Sequence, residues 1–258
     1  MLQDNSEECR NTPVMLQDIV GSAGGVTVTG GICRFGSRTE EIMCGIVGYN
    51  GARPVTYFLL DALELLEYRG YDSAGLATIN AETGRTKLRK WAGRVADLRK
   101  ICENDKKQAT CGIGHTRWAT HGGVSDENAH PHRQGNVLLV HNGIVENYEE
   151  LRDHFMLSKD LKSETDTEVV AGVLNRYYDG DPHKAIAQTV KHLKGTFALV
   201  IIFDDIPDVI YAIRNVSPIV AARTEDGTML ASDVAALGSH ATEYMVCLLY
   251  TSDAADER

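Results

Sequence analysis

An α+β layered domain built on antiparallel sheets is the fold class this sequence predicts, and three observations predict it. β-prone apolar runs gather toward the two ends of the central region, while helical periodicities cluster between them. The two kinds of segment do not alternate strictly, as a doubly wound parallel sheet would require. At 258 residues and 43% hydrophobic content the chain is also long and apolar enough to bury a sizeable core.

Taken in order, Gly45 to Tyr49 is a short apolar run that reads as a strand. Pro54 then opens a segment with Val55, Leu59, Ala62, Leu63 and Leu66 at helical spacing, an amphipathic helix with proline at its start. Strands are predicted at Ala74 to Ile79, Thr86 to Trp91, Gly112 to Thr116 and Asn136 to His141. Two helices follow, one after Thr167 on Val169, Val170, Val173 and Leu174, and one on Ile186, Val190 and Leu193. The chain returns to strands at Thr196 to Phe203, Val209 to Ile213 and Ile219 to Ala222.

The flanks read differently. Residues 1–43 repeat Met-Leu-Gln-Asp at Met1 and Met15 and are then dotted with glycine, without a sustained period, so they are expected to be an unstructured extension, either a propeptide or an over-extended translation start. Residues 247–258 form a polar acidic tail, leaving 44–246 as the folded domain.

Composition excludes several functions. Lys plus Arg number 26 against 36 Asp plus Glu, a net charge of -10 that repels phosphate backbones, so no nucleic-acid partner is expected. The longest apolar run, Phe197 to Phe203, is far short of the ~20 residues that cross a bilayer. The six cysteines include no C-x-x-C pair, and no signal-peptide pattern opens the chain; a reducing compartment, the cytoplasm, is expected.

Chemistry concentrates in a few strings. Cys44 follows Met43 and precedes Gly45, which admits close approach of backbone or substrate. Beyond it lie Glu67-Tyr68-Arg69-Gly70-Tyr71-Asp72-Ser73-Ala74-Gly75, His115-Thr116-Arg117-Trp118-Ala119-Thr120-His121-Gly122, His141-Asn142-Gly143 and Ser163-Glu164-Thr165-Asp166-Thr167-Glu168. Read singly, each has a plain structural alternative. Asn142-Gly143 between apolar runs suits a two-residue hairpin turn, Arg117 a solvated surface charge, and Trp118 a core aromatic. His121, His130, His132 and His141 lack an H-E-x-x-H helix or a cysteine partner, so no metal is expected.

Together, the strings from Met43 to about Leu237 resemble the class II glutamine amidotransferases, and their wording is similar to the glutaminase domains of the glutamine:fructose-6-phosphate aminotransferase branch. The resemblance implies a four-layer αββα sandwich of the N-terminal-nucleophile hydrolase type. It implies that Cys44, once freed as the first residue, is the nucleophile and that its own α-amine, with a pKa near 8, is the base. It assigns the Asn142 amide and the Gly143 N–H to an oxyanion hole. It gives the glutamine α-carboxylate to Arg117, the α-ammonium to Asp166, and the surrounding pocket to Trp118, Thr120 and His121, with Trp118 as a lid. Arg69 and Asp72 match a turn near the nucleophile, where a structural ion pair is an equal alternative.

The implied substrate is L-glutamine, hydrolysed to glutamate and ammonia without cofactor or metal. The sugar-isomerase domains that would pass ammonia to fructose 6-phosphate are absent from this sequence, and the family implies a homodimer. Two alternatives stand beside this reading: a non-catalytic glutamine-binding module with Cys44 capped by residues 1–43, and the glutaminase domain of another class II enzyme such as an amidophosphoribosyltransferase.

Overall fold

The computed structural model describes residues 44–80, 82–105, 109–118 and 122–246, together with the strand backbones of Val14–Leu16 and Gly25–Gly30. In chain order the elements are β1 (Val14–Leu16), β2 (Gly25–Gly30), β3 (Gly45–Gly51), α1 (Val55–Glu64), β4 (Ser73–Ile79), β5 (Thr86–Trp91), α2 (Val95–Ile101) and β6 (Cys111–Arg117). They continue with β7 (His132–Gln134), β8 (Val137–Val145), α3 (Tyr148–His154), α4 (Asp166–Tyr177), α5 (Pro182–Val190), β9 (Gly195–Phe203), β10 (Ile206–Asn215), β11 (Val220–Thr224), β12 (Gly227–Ala231) and β13 (Ala241–Val246).

Two sheets face each other. One has the order β1-β2-β10-β9-β8-β7 and the other β13-β11-β12-β3-β6-β4-β5. Period-2 alternation explains why both are covered on both faces. Along β9, Ala198, Val200 and Ile202 meet Ile46 and Ile113 of the opposite sheet, while Phe197, Leu199, Ile201 and Phe203 pack under α4 and α5. On the other sheet, Val47, Tyr49 and Leu76 turn outward to meet α1 and α2. The result is the expected αββα order of layers.

Helix α1 begins after Pro54 with no side-chain cap, so burial of Val55, Phe58, Leu59, Leu60 and Leu63 must hold it. Leu63 is fully buried, and truncating it leaves a cavity against β6. Leu63→Ala is expected to cost roughly 3 kcal/mol, read as a lower urea midpoint at unchanged slope.

Two expectations need correction. Residues 1–43 are not wholly without structure: β2 pairs parallel with β10, from Gly25 opposite Val209 to Gly30 opposite Arg214, and β1 pairs antiparallel with β2. The physical reason is that Val26, Thr27, Val28 and Thr29 are β-branched, and the outer edge of β10 offers unpaired backbone groups. The hairpin reading of Asn142-Gly143 also fails. Both lie inside β8, opposite Ala198 and Phe197 of β9, so the strand runs through them to Val145. Residues 247–258 lie outside the described residues. No helix among the described residues is long and apolar enough to cross a membrane.

Candidate functional site

The site forms where the ends of the two sheets meet. Strand alternation on β6 carries Cys111 and Ile113 into the inter-sheet core, so His115 and Arg117 fall on the same inward face. On β8, Leu138 and Val140 face inward and Asn142 follows them, whereas His141 and Gly143 turn toward α4. Cys44 immediately precedes β3, whose first residue, Gly45, pairs opposite Thr116 of β6. Asp166 opens α4, capped by Thr165, whose hydroxyl accepts from the Glu168 N–H at 3.2 Å.

Cys44, Arg117, Trp118, Gly143 and Asp166 line one cavity of about 30 Å³, together with His115, His130, His141, Thr165 and Thr167. That volume admits about one water rather than a glutamine, so substrate entry requires the pocket to widen. The Trp118 N–H donates to Cys44 Sγ at 3.3 Å, and the thiol donates to the Trp118 carbonyl at 3.7 Å. Burial pushes the thiol pKa up, against the lowering effects of the Trp118 bond and the Arg117 charge. At neutral pH the group is therefore a thiol and needs a base to become a nucleophile.

Arg117 is buried, and its guanidinium donates to the Gly123 carbonyl at 3.2 Å. Burial lowers its pKa, countered by Cys44, Asp166 and Asp72, and the group stays cationic. Asp166 accepts from the Val145 N–H at 2.9 Å and from the Thr167 hydroxyl at 3.2 Å. The Asn142 amide donates to the Cys44 carbonyl at 3.1 Å. Gly143 has φ 126°, a left-handed geometry that glycine adopts without strain.

Thr120 and His121 lie outside the described residues. Trp118 contacts Tyr71 edge-on, with ring centroids 5.9 Å apart. Arg69 forms an ion pair with Asp233 at 2.8 Å, and Tyr68 donates to the same carboxylate at 2.9 Å. The Asp72 N–H donates to the Arg117 carbonyl at 3.0 Å. Neither Arg69 nor Asp72 lines the cavity.

Sequence reasoning kept His121 for the glutamine pocket and placed His115 within a predicted strand, but with a metal rejected it gave no role to His115, His130, His132 or His141. Among the described residues no three His, Cys, Asp or Glu side chains converge as metal ligands. Yet His115, His130 and His141 all line the cavity. Burial pushes His115 down to about 3 and His130 and His132 well below the ordinary histidine range, so these rings are neutral at pH 7. The available signal was the alternation on β6, which sends a histidine to a core-facing position.

Comparison with known proteins agrees with this architecture. Residues 115–239 match the glutamine amidotransferase domain family. The glutamine--fructose-6-phosphate aminotransferase [isomerizing] of Clostridium perfringens is 44% identical over 204 residues, 78% of this chain and 33% of that protein. The protein of the same name from Aquifex aeolicus is 46% identical over 200 residues, 76% of this chain and 33% of that protein. The chain thus spans about a third of the length of these relatives. A glutamine phosphoribosylpyrophosphate amidotransferase from B. subtilis shares the fold with a TM-score of 0.65 at 24% identity, covering 75% of this chain and 43% of that one. The chain contains a class II glutamine amidotransferase domain, similar in sequence to the corresponding third of the fructose-6-phosphate aminotransferases.

Proposed function

We propose that this domain hydrolyses L-glutamine to glutamate and ammonia through a γ-glutamyl thioester on Cys44. The observation that carries the reading is the convergence of Cys44, Arg117, Gly143 and Asp166, from four separate elements, on one cavity. Arg117 takes the glutamine α-carboxylate through its planar fork, and Asp166 takes the α-ammonium. The Asn142 amide and the Gly143 N–H receive the oxyanion as Sγ bonds to the substrate amide carbon. The thiol proton passes to the base and then to the departing nitrogen, releasing ammonia. Water next cleaves the thioester and restores the thiol.

The base is the point on which the reading turns. Both hydrogen-bond partners of Sγ are backbone atoms of Trp118, not imidazoles. A free α-amine on Cys44 supplies the missing base, with a pKa near neutrality, whereas an amide nitrogen in mid-chain cannot. In a protein of the relatives' length, the ammonia would go to fructose 6-phosphate on domains beyond this sequence. A cytoplasmic homodimer is the setting that fits that role.

Intact-mass measurement and N-terminal sequencing of the protein made from its own gene, paired with a glutamate-release assay, test the proposal. A chain beginning at Cys44 that releases glutamate is the expected result. One beginning at Cys44 that binds glutamine without releasing glutamate would overturn it and leave a binding module. In the active form, Arg117→Lys is expected to raise KM for glutamine roughly 10- to 100-fold, because a lysine ammonium cannot reproduce the paired hydrogen bonds to a carboxylate.

A further inference from the structure

His115 has no exposed surface and stands on β6 two residues before Arg117. Its Nε2 lies 3.0 Å from the His141 carbonyl oxygen and 3.0 Å from Asn142 Oδ1. A backbone carbonyl can only accept, so Nε2 carries the proton and the tautomer is settled. The atom of the Asn142 amide that faces this N–H must then be its oxygen. The other end of the amide gives the same answer independently. It faces the Cys44 carbonyl at 3.1 Å, another pure acceptor, so that end is the NH₂ group.

We propose that His115 is the positioning residue of the site: its Nε2–H holds the Asn142 carboxamide with the NH₂ turned toward Cys44. The inference rests on the glutaminase reading above for its chemical consequence. An Asn amide rotated by half a turn would present its oxygen where the oxyanion forms, and two negative ends would repel. The bond also crosses the sandwich. His115 belongs to the sheet that carries Cys44, and Asn142 to the facing one, so one contact sets both the rotamer of the donor and its distance from the nucleophile. Burial keeps the ring neutral, with its pKa pushed down to about 3, and the Nε2–H that donates to Asn142 is present throughout the physiological range.

Nuclear magnetic resonance of the ¹⁵N-labelled 258-residue chain tests the contact itself. The expected result is an Nε2–H tautomer at His115 and slow solvent exchange of the Asn142 side-chain amide, speeding up at least ~10-fold in His115→Leu. An amide that exchanges equally slowly in the variant would overturn the proposal, whether or not the chain turns over glutamine. In the chain form that releases glutamate, His115→Leu is expected to lower kcat roughly 10- to 100-fold with little change in KM. His115→Gln, whose amide N–H reaches as far as Nε2, should recover most of that loss. In an Asn142→Ala background the His115 substitution should add nothing. Equal losses in both backgrounds, or a change confined to KM, would mark a merely structural role. Should the leucine variant fail to fold, His115→Asn makes the same comparisons, since its amide reaches only as far as Nδ1. Failure of the glutaminase reading would show separately, as no glutamate from any form.

Discussion

Gly143→Ala is expected to destabilise the domain by roughly 3 kcal/mol or more and to remove glutamate release with it. Two costs fall on the same position. The backbone has φ 126°, which an alanine adopts only under strain. A Cβ there would also run into the Thr196 carbonyl oxygen and lie 2.7 Å from its carbon. Those are backbone atoms of the paired strand β9, so relief requires parting β8 from β9, not turning a side chain. The N–H of residue 143 would move with the strand, and under the proposed mechanism the displaced donor would no longer meet the oxyanion. Gly48→Ala is the control. Its φ is not in the left-handed region, and the nearest atoms to a new methyl are 3.6 Å away, on Ile210, Leu230 and Val200 between the sheets. That variant should stay within about 1 kcal/mol of the parent in urea unfolding. Equal midpoints for the two variants would remove the argument.

Lowering the pH from 7.5 to 5.5 should cost the fold on the order of 4 kcal/mol, well before most carboxylates titrate. His115, His130 and His132 stay neutral in the folded protein because burial penalises their charged forms, with Arg117 adding repulsion in each case. In the unfolded chain each takes up a proton near pH 6.5. Below that pH the unfolded state therefore binds more protons, and stability falls as the pH falls. One unit below 6.5, each unfolded imidazole gains about 1.4 kcal/mol from protonation, and three together give the total. Urea midpoints at pH 7.5, 6.5 and 5.5 measure it. The midpoint should drop steadily, and His132→Gln should lessen the drop by about a third. A flat profile would show that these rings are protonated in the folded state too.

Much of the fold was legible because its central strands are buried on both faces and rich in small, apolar and β-branched residues. β3, β4, β6 and β9 read as continuous runs, and the helix after Pro54 carries five regularly spaced apolar side chains. What escaped was held by little burial of its own. Helix α2 buries only Val95 and Leu98, α3 only Leu151, and β7 is three residues long. Strands β12 and β13 owe their form to partners distant in sequence, β3 and β11. The site divides the same way. Of the residues in the strings, Cys44, Arg117, Gly143 and Asp166 line one cavity, and Asn142 stands beside it through its bond to the Cys44 carbonyl. The Asn142-Gly143 dipeptide misled locally, because pairing with β9 overrides the turn preference of the two residues. The link from His115 to Asn142 had no local signal, since it exists only once one sheet lies on the other.

That division gives the domain a property usually associated with oligomers. Cys44 and Arg117 sit on one sheet, while Asn142 and Gly143 sit on the other, with Asp166 on the helix that covers it. Under the proposed mechanism neither layer alone holds a working apparatus, because one would contribute the attacking atom and the other the groups that stabilise what it forms. The pocket is thus an interface within a single chain, and sliding of one layer against the other would disarm it while leaving every helix and strand intact. Loss of activity under mild denaturant should accordingly precede, and never trail, loss of secondary structure.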